Sequence, residues 1–121
     1  MMVMNLAKIL VVDDDLMVRQ LIQRFLTDQN YQVETAADGK MALAQFEQFH
    51  PDLVILDVNL PDANGYNLCQ TLHSRAEVLV LLLTSRTDEA DKVRGFIQGA
   101  DEYMTKPFNL AALHDRISAI L

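Results

Sequence analysis

Short runs of branched apolar residues alternate along this chain with longer segments whose apolar positions recur every three or four residues. The runs Ile9-Leu10-Val11-Val12, Leu53-Val54-Ile55-Leu56 and residues 78–83 contain no polar residue, which suits strands buried on both faces of a parallel sheet. Tyr31-Gln32-Val33-Glu34-Thr35 alternates, and Asp101-Glu102-Tyr103-Met104 carries two charges, so both predict strands at exposed edges. A first helix is predicted after Asp15, a candidate N-cap, with Val18, Leu21, Ile22 and Phe25 facing the sheet. The second helix buries Ala42, Leu43 and Phe46, and the turn cluster Pro61-Asp62-Ala63-Asn64-Gly65 precedes a third carrying Leu68, Cys69 and Leu72. Thr87 or Asp88 can cap a fourth, with Ala90, Val93 and Ile97 on one face and a left-handed end near Gly99. A fifth follows Asn109, with Leu110, Leu113, Ile117 and Ile120 inward.

This alternation predicts an α/β domain with five helices around a doubly wound, flavodoxin-like, five-stranded parallel sheet. Polar edge strands and right-handed crossovers are both satisfied by the order 2-1-3-4-5, whose switch point lies between strands one and three. The strand ends then matter chemically. Asp13 and Asp14 follow the first, Asp57 the third, Thr84 the fourth and Lys106-Pro107 the fifth, all at the carboxyl edge of the sheet.

At 121 residues, half of them hydrophobic, the chain is the size of one domain. Residues 1–6 are predicted to be a tail, and any effector domain would lie beyond 121. A net charge of -7 argues against direct nucleic-acid binding, which needs clustered Lys and Arg. The single cysteine, Cys69, reads as a small buried hydrophobe, and no Cys/His spacing resembles a zinc site. His50, His73 and His114 are scattered, with no partner evident. The longest apolar run, 78–83, is far short of the ~20 residues of a membrane helix. The expectation is a cytoplasmic protein with no membrane association.

Three gathered carboxylates repel: two charges ~4 Å apart cost up to ~4 kcal/mol at an effective dielectric near 20. Such a cluster calls for a cation, and all-oxygen donors that also meet phosphate favour Mg2+. An aspartate nucleophile flanked by a hydroxyl and an ammonium is equipped for phosphoryl transfer, with Asp57, Thr84 and Lys106 in those roles. Taken singly, each residue has a plainer reading: Asp15 as a helix cap, Asp13 or Asp14 likewise, Asp57 opening a turn, Thr84 capping a helix, Tyr103 as a packed edge aromatic. Their joint placement at the ends of four strands favours a site.

The segments Val11-Val12-Asp13-Asp14-Asp15, Leu56-Asp57-Val58-Asn59-Leu60-Pro61, Leu83-Thr84-Ser85 and Gly99-Ala100-Asp101-Glu102-Tyr103-Met104-Thr105-Lys106-Pro107-Phe108 together resemble a bacterial two-component response-regulator receiver domain, in style closest to receivers of winged-helix transcription factors. The resemblance implies that Asp57 accepts a phosphoryl group from a sensor histidine kinase. It implies Mg2+ held by Asp14 directly, Asp13 mainly through water, Asp57, and the backbone carbonyl of Asn59. It assigns Thr84 and Lys106 to the phosphoryl oxygens and a cis peptide to Lys106-Pro107. Tyr103 takes the switch position that alters the surface of the fourth helix, fifth strand and fifth helix, while Asn59 and Arg86 tune the phosphoryl lifetime. Arg94, Asp101, Glu102 and Arg116 match charges used in phosphorylation-dependent homodimers, although Ala112 and Ser118 stand where further charged partners are expected. Met17, Arg19, Gln20 and Gln23 lie where a kinase is chosen.

Such a domain is not an enzyme toward other molecules; it catalyses only its own phosphorylation and dephosphorylation. The implied output is regulation of transcription through a DNA-binding response regulator, and the alternative is a stand-alone receiver acting by protein contact. A Mg2+-dependent phosphatase would need a second acid two residues after its nucleophile, where this chain has Asn59. A phosphorylation-independent module would be expected to lack one of the site residues.

Overall fold

A computed structural model describes residues 7–85 and 99–121. Its strands are β1 (Lys8–Val12), β2 (Gln32–Ala36), β3 (Leu53–Asp57), β4 (Leu79–Thr84) and β5 (Glu102–Thr105). The described helices are α1 (Leu16–Asp28), α2 (Gly39–Phe49), α3 (Gly65–Arg75) and α4 (Leu110–Ile120), the last being the fifth helix of the sequence pattern. All strand pairs are parallel, in the order β2-β1-β3-β4-β5. The predicted fold and edge strands are therefore observed. The predicted fourth helix, with Thr87, Asp88, Ala90, Val93 and Ile97, lies outside the described residues, as do Arg86, Arg94 and the tail.

Strand periodicity divides the interior into two cores. Leu10, Val12, Val54, Leu56, Val80 and Leu82 pack with Ala42, Phe46, Leu68 and Leu72 of α2 and α3. Their neighbours Ile9, Val11, Ile55, Leu81 and Leu83 point the other way, toward Ile22, Leu26, Leu113 and Ile117 of α1 and α4. The three central strands need apolar residues on both faces for this reason, and their unbroken runs follow from it. Register then positions the carboxyl edge: Val12 pairs with Leu56, Asp57 with Leu83, and Thr84 with Thr105. One residue further along that register, Asp13 comes level with Asp57.

Local signals set the helix starts. Asp15 Oδ1 accepts from the backbone N–H of Met17 at 2.9 Å, and Asn109 Oδ1 from Ala112 at 2.7 Å, as their sequence positions predict. The stripe of α1 is displaced from the predicted one. Leu21 is 56% exposed while Leu26 is fully buried, because the buried line runs through Val18, Ile22, Phe25 and Leu26 and leaves Leu21 about a quarter-turn off it. β5 begins one residue later than predicted, since the Asp101 carboxylate accepts from the backbone N–H of Val80 at 2.8 Å and caps the end of the ladder. Gly99 has φ +97, the left-handed geometry predicted for it. None of the described helices is long and apolar enough to cross a membrane.

Candidate functional site

The carboxyl edge of the sheet brings Asp13, Asp14 and Asp57 together, with one carboxylate oxygen from each within 4.8 Å of the others. Asp13 and Asp57 are buried and Asp14 is exposed. Asp13 Oδ1 accepts from the backbone N–H of Asp15 at 2.9 Å, and Oδ2 from Lys106 Nζ at 2.7 Å. Asp57 Oδ1 accepts from the backbone N–H of Asn59 at 3.2 Å, while its Oδ2 lies 3.6 Å from Lys106 Nζ. The ammonium thus sits between two carboxylates and is bonded to the nearer one. It is held there by the backbone: Lys106 N–H donates to the Thr84 carbonyl at 2.6 Å, and the Lys106–Pro107 peptide is cis.

Thr84 is fully buried at the end of β4, and Val58 N–H donates to the carbonyl of Leu83 beside it. The turn after β3 is folded against the chain that precedes it. Gly65 N–H donates to the Val58 carbonyl at 2.7 Å, and Asn59 bridges to Asn64. A side chain at Gly65 would meet the Asp57 carbonyl oxygen at 2.5 Å, so glycine is what lets α3 start against the strand that carries Asp57. Asn59, predicted to offer its carbonyl, lies in this turn.

Charge in the cluster is only partly balanced. Burial, then the Asp13 charge and more weakly that of Asp14, push the Asp57 carboxyl above its ordinary pKa, against the opposing pull of Lys106 and the Asn59 N–H. For Lys106, burial acts downward, but the bond to Asp13 and the charges of Asp13 and Asp57 outweigh it and hold the ammonium above its ordinary value. Three carboxylates against one ammonium leave an electron-rich, all-oxygen donor set, which fits a hard divalent cation.

Tyr103 is buried in the core cluster shared with Leu82 and Val80, two strand positions before the end of β5. Among the described residues, the charges matched to a dimer surface are used within the chain: Glu102 Oε1 accepts from Arg116 Nη1 at 2.8 Å, and Asp101 Oδ2 lies 3.2 Å from His73 Nε2. His73 therefore has a partner that the sequence does not reveal, near the start of β4 at the opposite edge of the sheet. His114 stands edge-on to Phe25 and Tyr31.

Two contacts near the site escape sequence reading. Arg19 Nη1 donates to the Asp13 carbonyl at 2.7 Å, so its guanidinium turns to the loop after β1; its place on α1 suggests a kinase-facing residue and gives no sign of this contact. Asp62 accepts from the backbone N–H groups of Gly39 and Lys40, a pairing across 23 residues with no local signal.

Residues 9–118 match the response regulator receiver domain. "Probable transcriptional regulator ycf27" of Cyanophora paradoxa is 42% identical over 120 residues, covering 99% of this chain and 50% of that protein. "Alkaline phosphatase synthesis transcriptional regulatory protein PhoP" of Bacillus subtilis is 44% identical over 115 residues, or 94% of this chain and 48% of that one. The chain thus spans about half the length of the curated relatives it matches. Among solved structures, the Vibrio cholerae chemotaxis protein CheY4 superposes with a TM-score of 0.91 at 35% identity, covering 96% of this chain and 99% of that one.

Proposed function

Because the chain belongs to the response regulator receiver domain family of two-component systems, we propose that Asp57 is its phosphoryl acceptor and that a phosphohistidine on a sensor histidine kinase is the donor. The observation that carries this reading is the convergence of three carboxylate oxygens within 4.8 Å with Lys106 Nζ 3.6 Å from Asp57 Oδ2. Asp57 attacks phosphorus in line with the scissile bond. Its oxygen–phosphorus bond forms as the phosphorus–nitrogen bond breaks, and the leaving electron pair stays on the kinase imidazole. Water later attacks the acyl phosphate, releasing phosphate and restoring the carboxylate.

Mg2+ is the proposed cofactor, held by Asp13, Asp14, Asp57 and the Asn59 carbonyl, and when bound it supplies charge neutralisation for the incoming phosphoryl oxygens. Lys106 would neutralise charge there as well, exchanging its bond to Asp13 for one to the phosphoryl group, and the Thr84 hydroxyl would donate to a further oxygen. Asn59 and Arg86 set how readily water reaches the acyl phosphate. The chain acts as an enzyme only on itself.

Thr84 drawn toward the phosphoryl group makes room for the Tyr103 ring, and the population shifts toward a state with an altered surface around the predicted fourth helix, β5 and α4. Arg94, Asp101, Glu102 and Arg116 are the proposed contacts of a phosphorylation-dependent homodimer there. For that dimer, Glu102 and Arg116 must trade their internal pair for one across the interface. The curated relatives are named transcriptional regulators and are about twice as long, which supports a reading of residues 1–121 as one receiver unit, the regulatory part of a cytoplasmic DNA-binding response regulator. The fold shared with the chemotaxis protein CheY4 at 35% identity favours a second reading, a stand-alone receiver that works by protein contact.

Incubation with Mg2+ and acetyl phosphate or phosphoramidate, followed by intact-mass measurement, tests the acceptor. One added phosphoryl group is expected, dependent on Mg2+ and absent in Asp57→Ala. Equal uptake by Asp57→Ala would overturn the assignment.

A further inference from the structure

We propose that Asp62 is a positioning residue for this site: by tying the loop between β3 and α3 to the N-terminus of α2, it fixes where the Asn59 carbonyl lies. The inference rests on the reading of Asn59 as a metal ligand.

Asp62 lies three residues beyond Asn59, and both its oxygens are engaged by another element. Oδ1 accepts from Gly39 N–H at 2.7 Å and Oδ2 from Lys40 N–H at 3.1 Å. A helix leaves its first N–H groups without partners inside the helix. Here α2 has its own N-cap, since Asp38 Oδ1 accepts from Met41 N–H at 2.8 Å. Asp62 takes two of the remaining donors, so the two aspartates share one helix end, although only Asp62 reaches it from the site loop. Its carboxyl is held below the ordinary value, chiefly by the Gly39 N–H bond, and is thus ionised at neutral pH, the form that the positive end of a helix favours.

The contact is close by design of the backbone. A side chain at Gly39 would meet Ala63 Cβ at 2.7 Å, so glycine lets the loop lie directly on the helix. At its other end the loop is fixed by the Gly65-to-Val58 bond and the Asn59–Asn64 bridge. Helix α2 in turn is anchored in the core through Ala42 and Phe46. The loop that presents Asn59 is therefore held at its base by β3 and α3 and at its tip by α2. Asp62 itself touches none of the reacting groups.

Titrating Mg2+ into the full chain by calorimetry, alongside amide hydrogen exchange of the metal-free protein, separates positioning from ordinary helix capping. Asp62→Ala is expected to weaken Mg2+ binding about ten-fold, the low end of what partners of metal ligands contribute, and to speed exchange at Asn59 and Gly65 before any metal is added. Gly39→Ala, which keeps the Asp62 side chain but pushes on Ala63 Cβ at 2.7 Å and on Asp62 Oδ1 at 3.2 Å, should weaken Mg2+ in the same way. Asp38→Ala removes a cap from the same helix end and should lower thermal stability while leaving the Mg2+ affinity within about two-fold. Wild-type affinity in Asp62→Ala, or losses in Asp62→Ala and Asp38→Ala that track stability alone, would overturn the proposal. A wild-type chain that binds no Mg2+ would instead sink the metal-site reading beneath it.

Discussion

Replacing Asp57 with Asn removes one charge from the cluster at nearly constant shape, and in the metal-free protein at neutral pH this should stabilise the fold. Asp13 and Asp57 oxygens lie within 4.8 Å, which at an effective dielectric of ~20 gives about 3.5 kcal/mol of repulsion. Lys106 Nζ, 3.6 Å from Asp57 Oδ2, returns about 4.6 kcal/mol by the same relation, less a discount because the lysine side chain is 24% exposed and bonded to Asp13. These two terms nearly cancel. The sign then falls to burial of the Asp57 carboxylate and to Asp14, both of which disfavour the charge, and a net gain of about 1–2 kcal/mol follows on removing it. For a domain of this length that is a rise in Tm of about 3–10 °C.

Thermal unfolding in chelator at several pH values is the assay. A carboxyl whose folded pKa is raised above 3.8 costs stability when ionised, and the native state binds its proton more readily than the unfolded chain. The cost should therefore be full above the folded pKa and disappear as pH falls toward 3.8, bringing wild type and variant together. Adding Mg2+ at neutral pH should raise the wild-type Tm by more than that of the variant. A metal-free Asp57→Asn protein less stable than wild type at pH 7 would refute the claim that the cluster is under-compensated.

Three further outcomes follow from the same geometry. Lys106→Met leaves the buried Asp13 carboxylate without its ammonium partner and should cost about 1–3 kcal/mol in metal-free urea unfolding at neutral pH; an unchanged midpoint would show that the Lys106–Asp13 bond contributes nothing. Gly65→Ala places a Cβ within 2.5 Å of the Asp57 carbonyl oxygen and should destabilise by about 1–3 kcal/mol while slowing phosphoryl uptake, measured by intact mass. The Cys69 thiol is buried and pushed up to about 12, mainly by desolvation, so iodoacetamide at pH 8 should label it only after unfolding; rapid labelling of the native chain would contradict its burial on the sheet-facing side of α3.

The fold was legible where one cause dominated. Ile9 to Val12 and Leu53 to Leu56 are apolar on consecutive positions because both sheet faces are covered, and that pattern admits few alternatives. The convergence of the candidate site residues was legible because parallel strands deliver their carboxyl ends to one edge, so Asp13, Asp14, Asp57 and Lys106 meet by topology. What stayed hidden depends on pairings between distant segments. Asp62 reads as a turn former until Gly39 and Lys40 are seen above it, and Arg19 reads as a kinase-facing residue until its guanidinium is seen on the Asp13 carbonyl. Leu21 was misplaced because four apolar residues at helical spacing leave the stripe free to tilt either way, and burial of Leu26 decides it.

Three carboxylates lie within reach of one phosphoryl group, and only Asp57 is expected to be phosphorylated. Phosphorylating the chain with Mg2+ and acetyl phosphate, reducing the acyl phosphate with borohydride and sequencing the peptides by mass spectrometry tests this most directly. Homoserine is expected at position 57, with unmodified Asp at 13 and 14; homoserine at 13 or 14, or no reducible acyl phosphate anywhere in the chain, would contradict the assignment of Asp57.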